Sequence, residues 1–138
     1  MSYQIINPES LGAPKGWNNG LVAPTGGRIL FVAGQSARDE SGLVTAPTMT
    51  EQFAIVLDRI LTVVQEAGGK AEDIGRLTIF VTDLPAYVTS LKPIGEVYRK
   101  RMGRHYPAMA LLEVTGLMDD NSMIEVEATA VLPPETTG

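Results

Sequence analysis

The chain has no cysteine and one histidine, His105, among its 138 residues. Without cysteine there are no disulfides, no cysteine nucleophiles, no thiolate zinc sites and no iron–sulfur clusters. With one imidazole there is no metal site that needs two, and at most one histidine acting as a general base. Aromatic side chains are few, and tryptophan occurs once, as Trp17. No apolar run reaches the ~18 residues of a membrane span. The opening Met1-Ser2-Tyr3-Gln4 has neither the basic stretch nor the apolar core of a signal peptide. No membrane partner is therefore expected, and the cysteine-free composition fits the cytoplasm. Carboxylates, hydroxyls, backbone dipoles and shape remain to carry any chemistry.

The formal net charge of −5 argues against nucleic acid, whose phosphates call for a basic field. The densest basic run is Arg99, Lys100, Arg101 and Arg104. At helical spacing it reads as a solvated face whose cations favour a helix C-terminus. The length suits one domain over residues 1–138.

Apolar spacing divides the chain. Tyr3-Gln4-Ile5-Ile6 and Leu21-Val22-Ala23 read as short strands, joined by a loop that carries Trp17. Arg28 to Gly34 is a strand with Ile29, Phe31 and Ala33 on one face and Leu30 and Val32 on the other. Ala37 to Ala46 is a polar loop with a turn at Asp39-Glu40-Ser41-Gly42. In Met49 to Ala67, the residues Phe53, Val56, Leu57, Ile60, Leu61 and Val64 recur at three and four and predict a helix. Thr48 or Thr50 is placed to cap its start, and Gly68-Gly69 to end it. Leu77 to Asp83 is a strand that is apolar on both faces.

Tyr87 to Met102 reads as a second helix, interrupted at Pro93. Either it kinks there or its strong part begins there. Met109 to Val114 and Met123 to Leu132 are the last strands, and residues 133–138 a frayed tail. The order β-β-β-α-β-α-β-β predicts an α+β fold: one mixed sheet with two helices on one face. Strands apolar on both faces leave the other face to be buried, most simply by another copy of the chain.

Glu125 and Glu127 lie two apart in the last strand and so share a face, opposite Ile124, Val126 and Ala128. That face is the one assigned to a partner copy. The pair suits acid–base work, and it equally suits a polar rim or an intersubunit salt bridge. Gly34-Gln35, at the end of an apolar strand, admits a close-approaching ligand or simply ends the strand. Trp17, between Gly16 and Gly20, serves either as a packing anchor or as a ligand stack. Asp83 reads as a turn residue before Pro85. His105 is a base candidate, or a helix-end histidine that donates to carbonyls. No phosphate-cradling glycine loop and no nucleophile elbow is present.

Several stretches together resemble the YjgF/RidA family, also known as the endoribonuclease L-PSP or translation-initiation-inhibitor family. They are Ile29 to Gln35, Gly42, Val64 to Gly68, Asp73 to Asp83, Pro107-Ala108 and Leu112 to Val131 with its Ile124-Glu125-Val126-Glu127-Ala128. The resemblance spans residues 12–132. It implies a chorismate-mutase-like fold, a homotrimer with ligand clefts between subunits, and hydrolysis of reactive enamines or imines to carbonyl compounds and ammonia with no metal and no cofactor.

It further implies that Glu125 positions the attacking water and that Gly34 and Gln35 contribute a backbone group. Trp17 stands where the family's loop tyrosine is usual. The family's carboxylate-binding arginine follows Pro-Ala, and here that position is Met109. A thioether offers neither charge nor a bidentate hydrogen bond, so a substrate other than 2-aminoacrylate is expected. Arg104 and His105 are the candidates to hold an acid group from another angle. A non-catalytic binding trimer of the same fold is the alternative. Acidic charge and a lone histidine weigh against a ribonuclease.

Overall fold

The computed structural model describes residues 2–135; the end of the expected C-terminal tail, residues 136–138, and Met1 lie outside the described residues. Strands β1 (Gln4–Ile6) and β2 (Gly20–Val22) pair with each other in a small antiparallel ribbon. The main sheet holds β3 (Arg28–Ser36), β4 (Ile74–Val81), β5 (Ala108–Glu113) and β6 (Ile124–Leu132) in the order β3-β6-β4-β5. Pairs β3–β6 and β4–β6 are antiparallel, and β4–β5 is parallel. The single six-stranded sheet expected from the sequence is thus corrected to four strands plus a ribbon. These two three-residue strands pair only with each other and are set off from β3 by the Pro24-Thr25-Gly26-Gly27 turn.

Helix α1 (Met49–Glu66) follows its apolar stripe: Phe53, Val56, Ile60 and Val64 are buried against the sheet. Thr48 is the cap, its hydroxyl accepting from the Glu51 amide at 3.1 Å. Gly68, at φ +89°, ends the helix in the left-handed region. The second expected helix is two: α2 (Leu84–Thr89) and α3 (Leu91–Met102), broken at Ser90. Asp83 caps α2 by accepting from the Ala86 amide at 3.0 Å, and Pro85 sits in the first turn. Pro93 falls in the first turn of α3, where its missing N–H has no helical partner to lose. The break therefore precedes the proline, and three helices replace the predicted two.

Helices α1 and α3 pack on each other, fastened at the surface by Arg101, whose Nε donates to the Asp58 carboxylate at 2.7 Å. Beneath them Val32, Leu77, Ile79, Val81, Ile124, Val126 and Ala128 form the buried side of the sheet. The buried Gln52 on α1 secures the entry to β6: it accepts from the Met123 amide at 2.8 Å and donates to the Ala46 and Asn121 carbonyls. The opposite face is open in the single chain. On it Ile29 is 64% and Phe31 79% exposed, on the same face as Glu125 and Glu127 and opposite Val131 and Thr129 of β6. Strand β4 is less apolar there than expected, presenting Arg76 and Thr78 besides Phe80.

One irregularity positions the site. Val32 lies opposite Ala128 and Gln35 opposite Val126, so Ala33 and Gly34 together oppose Glu127 alone. This β-bulge shifts the side-chain alternation of β3 by one residue.

Candidate active site

The sequence-predicted residues form two groups on opposite faces of the sheet. The first is on the open face, at the bulge. Glu125 lies in register with Ser36 of β3 and Phe80 of β4. Its carboxylate rests against Gly34: a Cβ added there would stand 2.9 Å from Glu125 Oε2. The glycine therefore accommodates the carboxylate itself, and any larger residue would push it aside. Among the described residues the Glu125 carboxylate has no hydrogen-bond partner, which leaves both oxygens available to a water.

Beside it, Ser36 Oγ donates to Asp119 at 2.6 Å, and Arg38 donates to both Asp119 oxygens at 3.1 and 3.0 Å. The hydrogen bonds from Arg38 and then Ser36 hold the Asp119 carboxyl below its ordinary range. They also fix a guanidinium near Glu125.

The bulge also decides where the Gln35 side chain goes, while the Gln35 backbone stays beside Gly34. Simple alternation from Phe31 would place its side chain on the open face. One residue of shift turns it to the helix side, where its Oε1 accepts from Arg59 on α1 at 3.0 Å and its Nε2 donates to the Ala33 carbonyl. Its side chain is committed to holding the bulge.

The second group surrounds a cavity of about 640 Å³ between the helices and the β5 edge. Met109 and Trp17 line it, over a floor that includes Phe53, Leu77 and Ile79. The Trp17 loop is pinned there from both sides. Asn18 donates from Nδ2 to the Tyr106 carbonyl at 2.7 Å and from its backbone to the Pro107 carbonyl at 3.2 Å. Asn7 donates to Asn18 and accepts from the Asn19 amide, each at 2.8 Å. Tyr98 and Tyr106 stack at 5.4 Å along the cavity wall.

Neither Arg104 nor His105 lines this cavity. Arg104 is exposed. His105 stacks on Tyr3, with ring centroids 6.3 Å apart, and its Nε2 lies 2.6 Å from the Ile74 carbonyl. A carbonyl only accepts, so Nε2 carries the proton and the ring tethers β4 in the manner of a helix-end histidine.

Three polar residues of the cavity escaped the sequence. Arg99 and Lys15 stand at its mouth, and Tyr87 lines it with a hydroxyl that has no partner among the described residues. Burial pushes that hydroxyl up to about 12, so it stays protonated. The one available signal for Arg99 was Gly95, a glycine inside a helix four residues earlier.

Within one chain the two groups cannot meet. Glu125 faces the open side of β6, and Met109 the helix side of β5 with β4 between them. Among the described residues there is no group of three or more His, Asp or Glu placed to hold a metal, and no helix long and apolar enough to cross a membrane.

Comparison with known proteins supports the fold. The family model described as endoribonuclease L-PSP matches residues 9–132. A RutC family protein of Pyrococcus abyssi is 33% identical over 131 residues, covering 94% of this chain and 98% of the relative. TdcF of Escherichia coli, described as a putative reactive intermediate deaminase, is 31% identical over 76% of this chain and 80% of its own length. Its crystal structure with bound serine superposes with a TM-score of 0.65, at 28% identity over 88% of this chain and 92% of TdcF. A Rid family protein of Yersinia pestis, described as of unknown function, superposes with a TM-score of 0.82 at 30% identity, covering 96% of this chain and all of that one.

Proposed function

The chain belongs to the endoribonuclease L-PSP family, and on that premise we propose that it is a RidA-like enamine and imine deaminase acting on substrates bulkier and more apolar than 2-aminoacrylate. The observation that carries the reading is the Glu125 carboxylate, unpartnered and seated against Gly34 on the open face. The TdcF likeness supplies the reaction class.

The site is completed between copies. Ile29 and Phe31 are large and exposed side by side along the edge strand of the open sheet face, an apolar patch suited to burial by another copy. A homotrimer buries them and brings Glu125 of one chain toward the apolar cavity of a neighbour.

Water enters with one hydrogen on a Glu125 oxygen. Its oxygen attacks the imine carbon while the proton passes to the carboxylate. The carbon–nitrogen double bond becomes single and nitrogen takes that proton from Glu125, giving a carbinolamine. The carboxylate then takes the proton of the carbinolamine hydroxyl and passes it to nitrogen, the carbon–nitrogen bond breaks as the carbonyl forms, and ammonia and a carbonyl compound leave. A positioned carboxylate typically contributes about 10²–10⁴-fold to such proton transfers.

Met109 sets what is bound. Removing the charge-assisted bidentate clamp expected after Pro-Ala costs a small imino acid most of its binding energy. Met109→Arg should therefore raise kcat/KM for 2-iminopropanoate by about tenfold or more, followed as trapping by semicarbazide of imine generated in situ. It should lower turnover of imines with large apolar side chains. An unchanged preference would show that position 109 does not select the substrate.

A further inference from the structure

The cavity at the β5 edge has a charge pattern opposite to that of the whole chain. The chain carries −5, yet the two charged residues lining the cavity, Lys15 and Arg99, are both cations. Neither takes part in an ion pair among the described residues. Its volume of about 640 Å³ lies within the range of small-molecule sites, and its floor is aliphatic and aromatic.

Arg99 does not simply project into solvent. Its guanidinium folds back along α3: a Cβ added to Gly95 would stand 3.0 Å from Arg99 Nη1. Glycine inside a helix costs about 1 kcal/mol relative to alanine, so this one is placed against propensity. The space it opens is occupied by the guanidinium at the cavity mouth. The neighbouring cations behave differently. Arg101 is spent on Asp58, and Arg104 does not reach the cavity.

We propose that the cavity binds a monocarboxylate with a bulky apolar body, the body against Met109, Trp17 and the apolar floor, and the carboxylate held at the mouth by Arg99 with Lys15 beside it. Resting on the deaminase reading, this makes Arg99 the specificity-determining cation of a substrate class that position 109 no longer serves. A carboxylate at the mouth keeps part of its hydration, and the apolar body removes hydrophobic surface from water.

The chain's single tryptophan lines this cavity and reports on it directly. Hydrocinnamate, titrated into the full-length protein, should change Trp17 emission saturably. Its uncharged amide should bind about tenfold more weakly. Arg99→Gln should weaken hydrocinnamate about tenfold and leave the amide unaffected, and Arg99→Lys should recover part of the loss. Arg99 is exposed, so these variants should fold, and circular dichroism checks that.

The proposal is overturned if hydrocinnamate binds Arg99→Gln as tightly as wild type, if acid and amide bind alike, or if neither perturbs Trp17 because a neighbouring copy fills the cavity. Because the probe is not turned over, its binding is independent of catalysis. Absence of imine hydrolysis with binding intact would sink the deaminase reading alone. An unchanged KM in Arg99→Gln, with turnover of bulky imino acids retained, would sink this one alone.

Discussion

Glu125→Gln should lower kcat for imine hydrolysis by about 10³-fold, close to 4 kcal/mol of transition-state stabilisation, while KM changes little. The amide has the shape of the carboxylate and the same room against Gly34. It cannot take a proton from water, so the loss should fall on the chemical step rather than on binding. The measurement is steady-state hydrolysis of a bulky imine, beside hydrocinnamate binding as a control for an intact cavity. If kcat stayed within threefold of wild type, or about that, Glu125 would not be the group that activates water.

Phe31→Glu should convert the assembly into folded monomers. In the single chain Phe31 is 79% exposed on the open sheet face, so the protomer loses no core contact. In the assembly the new carboxylate would replace an apolar contact and lose its hydration at the subunit contact, at a cost of several kcal/mol per subunit. Light scattering should show the mass fall from a trimer to the 14.8 kDa of one chain, with the circular dichroism of wild type. Imine hydrolysis should disappear with the trimer, since the proposed cleft takes Glu125 from one chain and the apolar cavity from another. A trimer that survives this substitution would place the subunit contact elsewhere. A monomer that kept its activity would place the whole site in one chain.

Regular elements were legible where periodicity and caps agreed. The α1 stripe from Phe53 to Val64, the Thr48 cap and the Gly68 stop all appear where spacing predicts them. The faces of β6 follow from simple alternation, which put Glu125 and Glu127 opposite the buried Ile124, Val126 and Ala128. The break at Ser90 was not legible. Tyr87, Ile94 and Tyr98 all lie on buried faces, so the apolar pattern runs through the break as if one helix continued. Asp83 followed by Pro85 read as a turn, whereas a cap with proline in the first turn uses the same residue types.

The site was legible as residues more than as contacts. Gly34 and Glu125 were each singled out, but their meeting depends on two residues of β3 opposing one of β6, and no two-residue period encodes that. The same bulge turned the Gln35 side chain to Arg59, on the face away from Glu125. Arg99 was hidden among neighbouring cations. Its role depends on which side of α3 packs over the cavity and on the space left by Gly95, both of which are tertiary.

The most direct measurement mixes two inactive chains. Glu125→Gln removes the water-activating group, and Met109→Glu sets an anion in the apolar cavity, against the substrate's own carboxylate. Each alone should be inactive as a homotrimer. Unfolded together in urea at equal concentrations and refolded, they should recover about one quarter of wild-type imine hydrolysis, since each cleft draws its two halves from two chains taken at random. Mixed trimers, confirmed by differential tags, that stay as inactive as either parent would contradict a cleft shared between subunits.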